Sequence, residues 1–133
     1  MHVRLDLVSN NMDCVFCSLI EKKDYYLESD LCVALFDGFP VSEGHTLIIP
    51  KRHVETYFDL SKEEMEDMYS LSLRVKEFLD SKYHPDGYNV GFNCGEAAGQ
   101  TVMHAHMHII PRYKGDSDNP RGGIRKAVKR KGF

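Results

Sequence analysis

The stretch MHAHMHII, at residues 103–110, decides the fold and the site that we predict for this chain. Histidine occupies every second position, at His104, His106 and His108, and apolar residues occupy the positions between them. Side chains of a β-strand point alternately to its two faces. The pattern therefore predicts a strand with three imidazoles on one face and an apolar row on the other.

A row of imidazoles is suited to chemistry near neutral pH, because the ordinary pKa of histidine is about 6.5. A neutral His106 could attack a phosphorus atom, while its neighbours stabilise the anionic oxygens of the transition state. Two other interpretations stay open from the residues alone. One is a polar, solvent-facing sheet surface. The other is a metal-dependent hydrolase site, with His104, His106 and possibly His45 as ligands.

The upstream stretch NCGEAAGQT, at residues 93–101, is a connection rich in glycine and small polar residues. Gly95 and Gly99 permit tight turns and a close approach of backbone N–H groups to an anion. Gln100 and Thr101 add uncharged hydrogen-bond donors beside the histidines. We expect this loop to hold a phosphate group.

Local patterns elsewhere predict a mixed α+β fold. Apolar or alternating sequences predict strands at residues 31–36, 45–49, 88–92 and 103–110. A long helix is expected from Ser61 to Leu79, because Ser61 and Glu64 fit a capping box and apolar residues then recur every three or four positions. The lack of regular strand–helix alternation favours a mostly antiparallel sheet.

The composition is typical of a single globular domain. The chain has 133 residues, of which 42% are hydrophobic and 28% are charged. No apolar run approaches the ~20 residues of a membrane span, and the N-terminal stretch lacks the apolar core of a signal peptide. We expect one cytoplasmic domain over residues 1–133, with peripheral or irregular segments at 1–12 and about 114–133.

Charge is distributed unevenly along the sequence. The formal net charge is −3, yet residues 112–133 carry eight basic and two acidic residues, which leaves −9 on the rest. An acidic body argues against a general nucleic-acid-binding surface. In the basic part, Arg112, Arg121 and Arg125 are candidates for contacts to a polyphosphate, because guanidinium groups match phosphate oxygens.

Four cysteines, Cys14, Cys17, Cys32 and Cys94, occur in a chain with no recognisable export signal. In a reducing compartment, clustered cysteines bind metal or take part in redox chemistry more often than they form disulfides. From the residues alone, the Cys14-x-x-Cys17 pair is open to a redox role, a metal-binding role or none. Cys32 lies in an apolar strand and is expected in the core.

Taken together, these motifs resemble the histidine triad (HIT) superfamily. Residues 104–110 match its motif His-φ-His-φ-His-φ-φ, in which φ is apolar. The resemblance covers about residues 14–113 and includes FD at 36–37, GHTLIIPKRH at 44–53 and NCGEAAGQT at 93–101. It implies a HIT-like α+β fold, with a mostly antiparallel sheet of about five strands, one long and one short helix, and pairing into a homodimer.

The resemblance also implies a nucleotide hydrolase. Such an enzyme would cleave at the α-phosphate of purine nucleoside phosphoramidates or dinucleoside polyphosphates, through a nucleotidyl-histidine intermediate and without a catalytic cofactor. His106 would be the nucleophile, His108 would contact the phosphate or leaving group, and His104 and His45 would support them. The transferase branch usually carries glutamine where this chain has His108, which favours the hydrolase branches. The implied nucleotide-binding residues are Asp37 for the ribose and Asn93, Gly99, Gln100 and Thr101 for the phosphate.

Similar HIT proteins bind structural zinc through a cysteine pair and two histidines. The matching positions here are Cys14, Cys17, His53 and His104. A closed Cys2His2 set is a normal structural zinc site. A nucleotide-binding regulatory protein with little turnover remains an alternative to the enzyme, and neither implies a membrane or a nucleic acid as partner.

Overall fold

The computed structural model describes residues 13–129, so the predicted peripheral segment at 1–12 lies outside the described residues. In chain order, the elements are helix α1 (Val15–Glu21), strands β1 (Leu27–Glu28), β2 (Cys32–Phe36) and β3 (Thr46–Pro50), helix α2 (Lys62–Tyr83), and strands β4 (Gly87–Phe92) and β5 (Met107–Arg112). Short 3-10 helices occupy Tyr57–Asp59, Glu96–Ala98 and Gly123–Ala127. None of the helices in residues 13–129 is long and apolar enough to cross a membrane.

The five strands form one sheet in the order β1-β2-β3-β5-β4, and every neighbouring pair is antiparallel. Strand β5, which carries His108, lies between β3 and the edge strand β4. The α+β class, the antiparallel sheet of about five strands and the combination of one long and one short helix are confirmed.

Helix α2 begins where the capping box predicts. The Ser61 hydroxyl accepts from the Glu64 amide at 3.0 Å, and the Glu64 carboxylate accepts from the Ser61 amide at 2.8 Å. The helix extends beyond the predicted Leu79 to Tyr83, and His84 closes it in the left-handed region, with φ +53°. Its apolar stripe packs on one face of the sheet; the buried members include Met68, Leu71, Val75 and Leu79 from the helix and Ile48, Met107 and Ile109 from the strands.

The opposite face of the sheet is covered only in part. Helix α1 packs there through Phe16, against Val33 and Leu35 of β2 and Leu47 and Ile49 of β3. The candidate site opens on this face beside helix α1, where Leu47 of β3 and His108 of β5 line it.

The predicted strand at residues 103–110 is wrong at its start. Strand β5 begins at Met107 and continues to Arg112, so His104 and His106 precede it. The ladder to β3 ends at the Ile48–Met107 pair, close to Pro50, which has no N–H to donate. Instead, the Ala105 amide donates to the carbonyl of Val54 at 2.7 Å, which bends the segment out of the sheet.

Candidate active site

His106 is a buried imidazole held by the chain just before it. Its Nδ1 lies 2.8 Å from the carbonyl oxygen of His104, and its ring packs at 5.0 Å from the rings of Phe16 and His108. A carbonyl can only accept, so Nδ1 carries the proton. In the neutral ring the lone pair is therefore on Nε2, the atom needed for nucleophilic attack.

His45 and His108 form a relay whose direction is set by the backbone. The Val41 amide donates to Nδ1 of His45 at 3.1 Å, so a neutral His45 carries its proton on Nε2. That Nε2 lies 3.0 Å from Nδ1 of His108 and 3.4 Å from Oδ2 of Asp37. His45 therefore donates to His108, and His108 in turn carries its own proton on Nε2.

Electrostatics keep this relay neutral. Burial, together with the neighbouring His106 and His45, lowers the pKa of His108 to about 4, although Asp37 opposes the shift. Burial also lowers the pKa of His45, again against the effect of Asp37. Both rings are therefore neutral at pH 7, and the proton positions inferred from hydrogen bonding apply there.

His104 is separated from the other two histidines of the motif. Its Nε2 donates to the carbonyl of Pro50 at 2.8 Å, which leaves the lone pair on Nδ1. The prediction that the three imidazoles share one strand face is wrong, because β5 begins at Met107 and both His104 and His106 precede it. The backbone carbonyl of His104 accepts a hydrogen bond from His106.

The side chain of His104 joins Cys14, Cys17 and His53 in a cluster, which we call the Cys2His2 cluster. Nδ1 of His104 lies 3.4 Å from Sγ of Cys14, 3.5 Å from Sγ of Cys17 and 3.2 Å from Nδ1 of His53. Sγ of Cys17 lies 3.3 Å from Nδ1 of His53. The four candidate ligand atoms all lie within 4.8 Å of one another.

The Cys2His2 cluster fits a tetrahedral zinc ion. Zinc–sulfur bonds of ~2.3 Å and zinc–nitrogen bonds of ~2.0 Å place the ligand atoms of a tetrahedron roughly 3.3–3.8 Å apart. The four distances above, 3.2–3.5 Å, are close to that range. Burial and the adjacent Cys14 raise the pKa of the Cys17 thiol to about 12, so a metal that binds here must displace its proton.

A second group of possible ligands, Asp37, His45 and His108, also lies within 4.8 Å, and we call it the relay cluster. Its hydrogen bonds argue against a metal. An imidazole that binds a metal through Nε2 keeps its proton on Nδ1, but Nδ1 of His45 already faces the N–H of Val41. The predicted alternative set His104, His106 and His45 is not brought together, because the side chain of His104 belongs to the Cys2His2 cluster.

A cavity of about 750 Å³ opens over the histidines. The predicted site residues that line it are Asp37, His45, Asn93, Gly99, Thr101, His106 and His108. Apolar side chains of α1, β2 and β3 also line it, among them Phe16, Leu19, Leu35 and Leu47. The cavity therefore combines an apolar compartment with a polar, histidine-lined one.

Gln100 does not line this cavity, contrary to its predicted role as a phosphate ligand. Its side chain is buried and hydrogen-bonds to backbone groups. Oε1 accepts from the amide of Gly95, and Nε2 donates to the carbonyls of Glu55 and Val102. Gln100 therefore stabilises the loop.

The loop amides also differ from the prediction of an anion cradle. The N–H groups of Ala98, Gly99 and Gln100 donate to carbonyls of Gly95 and Glu96, within the loop itself. Thr101 and Asn93 are therefore the polar side chains that this loop brings to the cavity.

Three contributors to the site were missed by the sequence analysis. Phe16, between the two cysteines, packs its ring against both His104 and His106. The Val41 amide and the Pro50 carbonyl set the proton positions of His45 and His104. The contact of Phe16 could have been predicted from its position between the two cysteines. The backbone hydrogen bonds could not, because they do not depend on the residue type.

Comparison with known proteins supports the resemblance seen in the sequence. A family model described as HIT domain matches residues 20–115. A bis(5'-adenosyl)-triphosphatase of Dictyostelium discoideum is 39% identical over 101 residues, which cover 76% of this chain and 68% of that protein.

Solved structures with a similar fold are also found. A HIT family protein from Bacillus anthracis is 31% identical with a TM-score of 0.74, covering 88% of this chain and 86% of that one. A zinc-bound histidine triad family protein from Mycobacterium smegmatis is 33% identical with a TM-score of 0.70, covering 88% of each chain.

Proposed function

This chain belongs to the HIT domain family, and on that premise we propose that it is a nucleotide hydrolase acting at the α-phosphate through a nucleotidyl-histidine intermediate. The observation that carries the proposal is the state of His106. Its Nδ1–H donates to the His104 carbonyl, which leaves the lone pair on Nε2, and the residue lines a cavity of about 750 Å³.

In the first step, Nε2 of His106 forms a bond to the α-phosphorus, and the bond from phosphorus to the leaving group breaks. The His104 carbonyl stabilises the positive charge that develops on the imidazole. The Nε2–H of His108 donates a hydrogen bond to a phosphate or leaving-group oxygen. A phosphate leaving group departs as an anion, and an amine takes its proton from water.

In the second step, water attacks the same phosphorus and the bond to Nε2 of His106 breaks. The products are a nucleoside monophosphate, a proton released to solvent and the neutral imidazole. Asn93 and Thr101 would hold phosphate oxygens, and Asp37, at the cavity wall, would accept from the ribose hydroxyls. The apolar compartment around Leu35 and Leu47 suits a purine base.

We also propose that Cys14, Cys17, His53 and His104 hold a structural zinc ion. When bound, the ion would supply cross-linking between helix α1 and the segments around His53 and His104. The imidazole of His104 is already oriented for this role, because its Nε2–H donates to the Pro50 carbonyl. No step of the hydrolysis is assigned to the zinc.

A homodimer is a further part of the proposal. Strand β4 is at the edge of the sheet, and Val90 on it is 47% exposed. Phe58 nearby is 78% exposed, and Tyr57 packs its ring against Phe92 of β4. An edge strand flanked by exposed apolar residues favours pairing with a second copy. The molar mass of the chain in solution, measured by light scattering, tests this.

The decisive experiment traps the intermediate. The protein is mixed with diadenosine triphosphate, quenched within one turnover and examined by mass spectrometry for an adenylyl group on His106. We expect the adduct in the natural chain and none in His106→Ala, whose turnover should fall by at least ~10⁴-fold because the nucleophile is lost. The variant should remain folded and bind nucleotide.

The control is His84→Asn, an exposed histidine whose left-handed conformation asparagine tolerates. It should behave like the natural chain. An adduct on another residue, or turnover retained in His106→Ala, contradicts the mechanism. Nucleotide binding with neither adduct nor turnover supports the regulatory alternative.

A further inference from the structure

The basic part of the chain lies beside the candidate site, and its position can be traced across the sheet. Cross-strand partners present their side chains on the same face, and Gly91 of β4 is directly opposite His108 of β5. A Cβ added at Gly91 would lie 4.0 Å from Cδ1 of Ile124. The 3-10 helix Gly123–Ala127 therefore crosses β4 on the face that carries His108.

A second contact fixes the same placement. A Cβ added at Gly123 would lie 3.5 Å from Nδ2 of Asn89. Asn89 and Gly91 are two residues apart on β4, so their side-chain positions share one face. Neighbouring strands are ~4.8 Å apart, so this segment lies over the strand adjacent to the one that carries His108.

This segment carries unopposed positive charge. Residues 121–129, which we call the basic segment, contain Arg121, Arg125, Lys126 and Lys129 and no acidic residue. All four are exposed, and none of them takes part in the ion pairs found within residues 13–129.

Arg112, the third arginine predicted to reach a polyphosphate, is engaged elsewhere. Its guanidinium donates to both carboxylate oxygens of Asp116, at 2.9 and 2.8 Å, and to Asn89 at 2.6 Å. Its guanidinium is therefore already paired, unlike the exposed cations of residues 121–129.

The order of the strands gives the bound substrate a direction. Leu47 of β3 is directly opposite His108 on one side, and Gly91 of β4 is opposite it on the other. Leu35 and Leu47 line the cavity on the β2–β3 side. A nucleoside against these two leucines, with its α-phosphorus at His106, would therefore extend its leaving group toward β4. That is the strand crossed by the basic segment.

We propose that the basic segment binds a polyanionic leaving group, and that the preferred substrates are therefore dinucleoside polyphosphates rather than phosphoramidates with small amine leaving groups. This inference rests on the proposed hydrolase function. Arginine and lysine side chains at this position would neutralise the β- and γ-phosphates that lie beyond the scissile bond.

The test compares two substrates on one variant. We replace three cations together, Arg121→Gln, Arg125→Gln and Lys126→Gln, and measure kcat/KM for diadenosine triphosphate and for adenosine 5'-phosphoramidate. The ratio of the two values should fall roughly tenfold at low ionic strength, since three exposed charges each contribute modestly. The loss should shrink in high salt, because screening weakens exposed charges.

The matched control carries Lys62→Gln, Lys76→Gln and Lys82→Gln, which remove the same charge from exposed positions of helix α2, on the other face of the sheet. Its substrate ratio should stay within about twofold of the natural one. An equal fall in the control, or an unchanged ratio in the basic-segment variant, overturns the inference.

A binding measurement separates this inference from the proposed function. In a His106→Ala background, calorimetric titration gives the Kd of intact diadenosine triphosphate and of adenosine monophosphate with and without the three substitutions. A selective loss of affinity for diadenosine triphosphate supports a role of the basic segment in binding the leaving group, even if the natural chain turns over neither substrate. Unchanged affinity for diadenosine triphosphate refutes that role, even if the nucleotidyl-His106 adduct forms.

Discussion

The Cys2His2 cluster and the relay cluster lie on either side of His106, and both bring histidines within 4.8 Å of other potential ligands. They differ in the backbone group that each histidine meets. The carbonyl of Pro50 accepts a hydrogen bond from the Nε2–H of His104, which leaves the lone pair of Nδ1 facing the sulfurs. An amide, that of Val41, occupies the lone pair of His45 and leaves an N–H facing His108.

This contrast shows that proximity of ligand atoms is not enough to identify a metal site. A histidine whose distal nitrogen donates to a carbonyl offers a lone pair for a metal, as metal-binding histidines usually do. A histidine whose distal nitrogen accepts from an amide offers a proton instead. The Cys2His2 cluster is therefore suited to zinc, and the relay cluster is suited to orienting a proton donor.

Among the changes that distinguish the two clusters, we expect the largest effect from removing the sulfur ligands. Cys14→Ser with Cys17→Ser should lower the free energy of unfolding by about 3 kcal/mol or more, because metal binding contributes directly to folding. This corresponds to a fall in Tm of roughly 10 °C for a domain of this size. Differential scanning calorimetry measures the fall in Tm, and mass spectrometry measures the accompanying loss of bound metal.

Cys94→Ser is the matched control, since Cys94 is a partly buried cysteine outside both clusters. It should keep its metal content and most of its stability. Purified natural chain that contains no zinc, and that gains no stability when zinc is added, would show that the Cys2His2 cluster is not a metal site.

A smaller effect is expected from the relay cluster, and it should appear in activity rather than in metal content. His45→Ala removes the donor that places the proton of His108 on Nε2, and we expect kcat to fall ~100-fold, equivalent to about 2.7 kcal/mol of barrier. Zinc content should not change. Steady-state kinetics and metal analysis on the same sample make the comparison.

If metal content and activity fell together in His45→Ala, the two clusters would not be independent, and our distinction between them would fail. The exposed His84→Asn serves again as a control for loss of an imidazole that neither cluster uses.

The smallest effect concerns pH. In the folded chain the pKa of His108 is about 4, below the ordinary value of about 6.5. Between these values the unfolded chain binds a proton that the folded chain does not, so the stability rises with pH across this window and is lost as pH falls. After allowance for partial exposure, we expect about 1 kcal/mol from this group.

Urea unfolding at a series of pH values between about 4 and 7 measures this contribution. His108→Asn should reduce the slope, whereas His84→Asn should not. The slope that remains in His108→Asn comes in part from His45 and His104, because burial lowers the pKa of both. An unchanged slope in His108→Asn would mean that the relay is not held neutral by the fold.

Much of the fold follows from local sequence signals. The capping box of Ser61 and Glu64, the three-and-four spacing of apolar residues in α2 and the apolar runs of β2 and β3 are properties of short segments. They predicted the α+β class and the antiparallel sheet. The resemblance to the HIT superfamily, in turn, singled out the histidines and implied the Cys2His2 set, which the spacing of the two cysteines alone left open.

What the sequence by itself determined was the fold class and which chemically reactive side chains, histidines and cysteines, the elements carry, because side-chain type and periodicity are local properties. Only the tertiary structure decided which nitrogen of each ring is free, that His104 leaves the strand and that Gln100 serves the loop. These outcomes depend on backbone groups far away in the chain: the Pro50 carbonyl is 54 residues from His104, and the Glu55 carbonyl is 45 residues from Gln100. Such partners are chosen by packing, and no local pattern records them.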